Sequence, residues 1–418
     1  MGRHLVPAAM AAAMLALAVA ALAAGLASFQ PGWWRGAVSL AILGGIIPMI
    51  FAVNVRIVPV FSRRAWLGEI WLRAQVGLAV AGAWVVFAGI IARQEAVVSA
   101  GHALALGGGI LFVVNVARLF RQPATMPAPP LPYPGQAAVD RVATRFMRLS
   151  GGYLLFGLAV GLLMSVWQPG MGRWDLVWAH ALLIGYFLAM VSGVCYHVLS
   201  RWTGRAWKRI GPIRLHFLAV ALGLPLMLLA LATDQRALFA IAGSLQAIAL
   251  GLLLVNIAPM ISGLPGLTRP AFAAAMVMLL VGITLGALFA LDPALGARLR
   301  LTHAEINLFG WTGLLISGAG YYLVPRFAGQ PLRWPRLAPL QLGLLVAGIG
   351  LAVVALLWRT YGDGPAALVL LAQALVAAGY LLFGVLVAGT FRPTKRAGAG
   401  TVAALPLAPR PAIGTGPR

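Results

Sequence analysis

Three histidines and one glutamate stand inside apolar runs of this chain, where an ionisable side chain costs roughly 2.5–3.5 kcal/mol or more and is therefore a candidate for function. They are His102, His180, His303 and Glu305. Each histidine lies about five residues into its run, so at 1.5 Å per residue the three share a depth to within a few ångströms. A neutral imidazole in an apolar pocket is an axial ligand for haem iron. His303 and Asn307 are four residues apart and share a helix face. Glu305, two residues after His303, is turned about 200° away and looks into a different space. It is expected to bond Asn307, His102 or Arg298, or to carry protons, and not to ligate iron, because a carboxylate is a harder ligand than imidazole. The candidate cofactor-binding set is thus His303, His180, His102, Glu305 and Asn307, with His303 and His180 as metal ligands. For each histidine the competing reading is a packing residue hydrogen-bonded to a carbonyl. His197, His216, Tyr196, Tyr321 and Tyr322 gather at the opposite ends of the same runs and read as interfacial. Arg56, Arg201 and Arg326 there read as snorkelling arginines, or as an inner site for a propionate or lipid headgroup.

These residues must be held by membrane helices. The chain has 418 residues, 61% of them hydrophobic and only 9% charged, against about 25% charged in a soluble domain. That excludes an ordinary soluble enzyme, a disordered chain and a secreted disulfide scaffold. The single cysteine, Cys195, excludes internal disulfides, a CxxC pair and a thiolate zinc site. Twelve runs are long and apolar enough to span a bilayer: 5–28, 37–61, 70–92, 97–119, 150–167, 175–199, 215–232, 236–258, 270–291, 300–325, 338–358 and 364–390. The first could instead be a signal peptide, but it exceeds the usual apolar core of one. A slot able to take a cofactor is expected in the outer half of the bundle, beside His180 and His303.

The net charge of +23 is distributed as topology demands. Arg118, Arg121, Arg141, Arg145 and Arg148 follow the fourth run, and Arg201, Arg205, Lys208, Arg209 and Arg214 follow the sixth. Arg326, Arg333 and Arg336 follow the tenth, and the links on the other side are short and nearly bare. The positive-inside rule puts both termini in the cytoplasm, in a bacterial inner membrane. The partner implied is the lipid bilayer, not nucleic acid. The expected organisation is helices 1–4 over 1–121, a Pro-rich loop over 122–137, helices 5–12 over 138–391 and a disordered tail over 392–418.

An internal repeat groups the helices. GYFLAMVSGVCYHVLSRWTG from Gly185 aligns without gaps on GWTGLLISGAGYYLVPRFAG from Gly310. Identities fall at Gly185/Gly310, Ser192/Ser317, Gly193/Gly318, Tyr196/Tyr321, Arg201/Arg326 and Gly204/Gly329. The second run has a weaker cousin, GGIIPMIFAVNVRIVPVFSRR. Similar helices at positions two, six and ten imply an all-α integral membrane protein of about 12 helices in three pseudo-repeated four-helix units. Repeat interfaces are where membrane proteins commonly bind their ligands.

These stretches resemble a known family. THAEINLFGWTGLLISGAGYYLVPRF, from Thr302 to Phe327, resembles helix ten of the catalytic subunit of haem-copper oxidases, closest to the cbb-type oxidases and related nitric oxide reductases. WAHALLIGYFLAMVSGVCYHVLSR, from Trp178, resembles that family's helix six, and IRLHFLAVAL, from Ile213, the start of its helix seven. The resemblance implies that His303 matches the ligand of the high-spin haem and that His180 matches a copper-binding histidine. Glu305 stands where the family has a second haem histidine. The family's adjacent histidines of helix seven and its histidine of helix two have no counterpart, so the resemblance implies at most one haem and no copper centre. VRIVPVFSRR from Val55 and SRWTGR ending at Arg205 are also similar to NnrS-type proteins, which are linked to nitric oxide metabolism and haem. The expected function is a haem-binding, oxidase-like membrane protein in respiratory or nitric oxide-related metabolism, with other respiratory subunits as partners. The alternatives are an active oxidase or reductase subunit, and a non-haem transporter or assembly factor on the same fold. No Walker loop, HExxH, GxSxG or CxxCH occurs to suggest other chemistry.

Overall fold

A computed structural model describes residues 4–125, 127, 130–167 and 173–393. The expected tail falls almost wholly outside the described residues. Those described form twelve long helices: α1 (Leu5–Leu26), α2 (Trp33–Ser62), α3 (Glu69–Ala92), α4 (Glu95–Phe120), α5 (Gln136–Val166), α6 (Trp174–Thr203), α7 (Gly211–Thr233), α8 (Arg236–Ile261), α9 (Thr268–Leu291), α10 (293–328), α11 (Leu337–Tyr361) and α12 (Ala366–Phe391). Eleven of them are long and apolar enough to cross a membrane. α10 is not among the eleven because its sequence mixes glycine, tyrosine and polar residues with its apolar ones.

Burial separates the helices into two classes. The most apolar windows of α2 and α6 are 89% and 72% buried, whereas those of the other nine lie between 22% and 56%. In α10, residues 308–318 are buried on every side. α2, α6 and α10 are therefore the inner helices, one from each four-helix unit, and the other nine form the rim. α2 packs on α1 and α3, α6 on α5 and α7, and α10 on α9, α11 and α12. A lipid-facing helix needs only apolar side chains. A helix surrounded by protein can carry the glycines and polar groups that α10 has, because neighbouring helices satisfy them.

The repeated residues have packing reasons. A Cβ at Gly193 would meet Phe146 Cβ of α5 at 3.1 Å, and one at Gly318 would meet Phe272 of α9 at 2.9 Å. α6 and α10 thus rest at the same level on the first helix of their own units. Gly204 and Gly329 end α6 and α10 with φ of +69° and +67°, the left-handed cap that glycine adopts without strain. Small residues also let α3 and α4 touch backbone to backbone: a Cβ at Gly82 would stand 2.6 Å from the Ala105 nitrogen, and one at Gly101 2.5 Å from the Val86 nitrogen.

Each inner helix contains a stretch of π-helix: Ala41–Ile46 in α2, Ala181–Leu188 in α6 and Glu305–Trp311 in α10. Such bulges insert one residue into an α-helix and occur often at functional sites.

α5 is longer than the apolar run that marks it. The run begins at 150, whereas the helix begins at Gln136. Its first turns are amphipathic: Val139, Val142, Ala143 and Phe146 are buried, and Arg141, Arg145 and Arg148 are exposed.

Candidate functional site

α6 and α10 place His180 and His303 in the turn that enters each π-helix. The His180 ring lies 2.8 Å through Nδ1 from the Leu176 carbonyl. A carbonyl only accepts, so Nδ1 carries the proton and Nε2 keeps its lone pair, the tautomer in which histidines bind metals. His303 is held from α9: its ring is tilted against Phe289 with centroids 5.3 Å apart, and a Cβ at Gly286 would meet its Cε1 at 3.3 Å. Asn307 lies one turn on, with Nδ2 donating to the His303 carbonyl at 2.8 Å and 3.4 Å from its ring Nδ1. His180 and His303 thus stand at matching places on α6 and α10, which pack against each other. Beneath them Phe187 of α6 packs on Trp311 of α10 with ring centroids 4.8 Å apart. At the far ends of the same two helices Trp202 stacks on Tyr322 at 4.2 Å.

The bulge in α10 leaves carbonyls outside the regular ladder. The Phe309 carbonyl accepts from the Tyr380 hydroxyl at 3.1 Å, and the Asn307 carbonyl accepts from Thr312 Oγ1 at 3.0 Å. Side chains thereby satisfy groups that an α-helix would satisfy itself.

Two of the sequence candidates stand apart. Glu305 is fully buried and faces α12, where its Oε2 accepts from Gln373 Nε2 at 2.6 Å. The expected partners Asn307, His102 and Arg298 are not its partners. The 200° turn that separates Glu305 from His303 points it at α12, and Asn307 is engaged with His303 instead. Glu305 Oε1 and Gln373 Oε1, both buried, have no hydrogen-bond partner among the described residues. His102 packs edge-on against Trp178 with centroids 6.3 Å apart and sits against Gly161 of α5. Trp178 precedes His180 by two residues, so His102 lies on the other side of α6 from His180.

A second polar cluster, on the arginine-rich side, escaped the sequence reading. Asp140 of α5 accepts from Arg201 Nη2 at 2.8 Å and Nη1 at 3.2 Å, and from Gln136 Nε2 at 2.6 Å. His197 Nδ1 lies 2.8 Å from Asp140 Oδ1, an ion-pair distance without hydrogen-bond alignment. Arg201 also donates to the His197 carbonyl and lies 5.5 Å over the Phe61 ring of α2. Arg201 therefore does not snorkel to water. Its partner stands on the helical extension of α5 that the hydropathy run leaves out. His216 is fully buried and shares a 2.8 Å hydrogen bond with the Tyr196 hydroxyl, which accepts from Asn256 Nδ2 at 2.9 Å.

Two hollows are prominent, and neither is lined by His180 or His303. One, of about 440 Å³, lies among Phe29, Trp33 and Arg93, where α1 gives way to α2 and α3 ends. The other runs along α5, α6 and α7. Among the described residues no group of three or more His, Cys, Asp or Glu side chains could hold a metal ion. The donor set at the α6–α10 interface is two imidazoles. That chemistry fits one haem and does not fit a copper centre.

Comparison with known proteins agrees with this architecture. Residues 266–408, which contain the third four-helix unit and His303, match the family model of cytochrome c and quinol oxidase polypeptide I. The whole fold is similar to the cryo-EM structure of a heme-copper terminal oxidase dimer, with a TM-score of 0.65 and 15% sequence identity over 94% of this chain and 85% of that one. No curated protein sequence matches. This chain thus has the fold of a heme-copper terminal oxidase and, through its third unit, resembles cytochrome c and quinol oxidase polypeptide I.

Proposed function

We propose that this protein is a haem-copper-oxidase-like component of a bacterial inner membrane that binds at most one haem and has no oxygen-reducing site of its own. It serves respiratory or nitric oxide-related metabolism, as NnrS-type proteins are linked to, beside other respiratory subunits, with both termini on the cytoplasmic side. The observation that carries the reading is the placement of His180 and His303 at the entrances of the π-bulges of two inner helices that pack on each other through Phe187 and Trp311.

His303 would hold the iron, and His180 would stand by with Nε2 free to accept. Haem, when bound, would supply a redox-active iron. The chain's own residues would do the rest. Asn307 and the α9 wall fix the His303 ring, the Leu176 carbonyl fixes the His180 tautomer, and Phe187 with Trp311 closes the floor against water. Glu305, committed to Gln373, is no ligand.

An absorption spectrum of detergent-purified protein, oxidised and reduced, tests the reading. A Soret band is expected that His303→Ala abolishes and Glu305→Gln leaves nearly intact. Loss in the Gln variant with retention in the Ala variant would reverse the two assignments. Protein without a Soret band from haem-replete cells would leave the transporter or assembly reading. Consumption of oxygen or nitric oxide by the purified protein would make it an active oxidase or reductase subunit.

A further inference from the structure

The hollow along α5, α6 and α7 has a chemistry of its own. It is a lateral groove of about 680 Å³ whose walls include Arg148, Gly152, Tyr153, Phe156, Trp174 and Pro225. Contacts between α5 and α6 set its span. Gly185 packs on Tyr153 and Gly161 on Trp178, so Trp174 stands level with the outer end of α5. From Arg148 to that level is about 25 Å at 1.5 Å per residue.

Arg148 marks the basic end. The apolar part of α5 runs from residue 149 to Val166, about 27 Å, close to the roughly 30 Å of a hydrocarbon core. Arg148 therefore sits at the edge of the hydrocarbon on the arginine-rich side, and Arg145 and Arg141 continue its face outward at helical spacing. All three are exposed, and none has a hydrogen bond or ion pair among the described residues. Tyr153 lies one turn further into the groove, and its hydroxyl likewise has no partner there. Helical side chains lean toward the helix N-terminus, which carries this hydroxyl back toward Arg148. Beyond it the walls are apolar. The concavity comes from the backbone: a Cβ at Gly151 or Gly152 would meet nothing within 4 Å.

We infer that this groove is a binding site for one anionic phospholipid of the leaflet on the arginine-rich side. Its phosphate lies against Arg148, with Arg145 and Arg141 above it, and one acyl chain lies over Gly152 along Phe156 and Pro225. A zwitterionic lipid would fill the apolar groove but gain little from the unpaired cations. The inference does not depend on any haem.

Native mass spectrometry of the full chain, delipidated in detergent and titrated with phosphatidylglycerol or phosphatidylcholine, tests it. Wild type should bind the first phosphatidylglycerol several-fold more tightly than phosphatidylcholine. Arg148→Gln should weaken phosphatidylglycerol by about fivefold, the equivalent of about 1 kcal/mol for one basic residue at the membrane surface, and leave phosphatidylcholine unchanged. Gly152→Leu, which grows into open space, should weaken both lipids while the protein keeps its helical circular dichroism. Equal binding of the two lipids by wild type, or unchanged phosphatidylglycerol binding in Arg148→Gln, would overturn the site.

Discussion

Asp140→Ala should be the most damaging single change on the arginine-rich side. It removes the carboxylate that accepts from both terminal nitrogens of Arg201 and from the amide of Gln136, and that stands 2.8 Å from the His197 ring. The Arg201 side chain is only 9% exposed and that of Asp140 20%, so solvent replaces little of what is lost. Stripping one partner from a buried pair costs about 3–5 kcal/mol, and the fifth of Asp140 that is wet argues for the lower end. At roughly 2 °C per kcal/mol for a chain of this size, melting should fall by about 6 °C. Replacing both members, as Asp140→Leu with Arg201→Met, should cost less than Asp140→Ala alone, because no buried charge is left unpaired. The protein supplies its own probe. Cys195 is the only cysteine in the chain and is buried on α6, two residues before His197. Heating purified protein with a thiol-reactive fluorophore therefore reports the opening of that helix. A shift below about 1 °C for Asp140→Ala would place it with ordinary surface changes. A double variant that loses the sum of its two singles would show that the two residues are not coupled.

Other perturbations test other levels. Gly313→Ala drives a methyl into the Tyr380 hydroxyl and should cost about 1–3 kcal/mol by overpacking. Adding Tyr380→Phe should restore part of that loss in the same melting assay. Gln373→Leu leaves Glu305 buried without its one hydrogen bond and should cost about 1–3 kcal/mol, whereas Glu305→Gln should cost less. Gly204→Ala and Gly329→Ala should each destabilise by about 1 kcal/mol, and by similar amounts, because both glycines hold the same left-handed conformation. Unequal costs would argue against equivalent ends for α6 and α10.

The twelve helices and the kinship of α2, α6 and α10 were legible in the sequence, because apolar length and repeated Gly193/Gly318 and Gly204/Gly329 positions are local facts that packing then uses. The like placing of His180 and His303 along α6 and α10, each just ahead of a π-helix, follows from the same count of residues along a helix. What faces what was less so. Glu305 could be turned away from His303 by helical geometry alone, but that it meets Gln373, 68 residues on, depends on how α12 docks. The Asp140 cluster was missed although its signal was present. Val139, Val142, Phe146 and Ser150 recur at helical spacing between the arginines, and a hydropathy window averages such an amphipathic stretch to nothing. The π-bulges left no such trace, since the same residues would make regular α-helix.

Those bulges divide each inner helix into two α-helical parts. One extra residue amounts to about 100° of rotation and 1.5 Å of advance for everything beyond it. The part of α6 that bears Arg201 and the part that bears His180 are thus set at independent angles about one axis. Removing a single residue between Ala181 and Leu188 would let the helix close into regular turns. His180 would swing through about a quarter-turn away from α10 while the Asp140–Arg201 clasp held its place. The two leaflets of this protein can therefore be tuned separately: a one-codon deletion re-aims the histidine level and leaves the opposite side anchored.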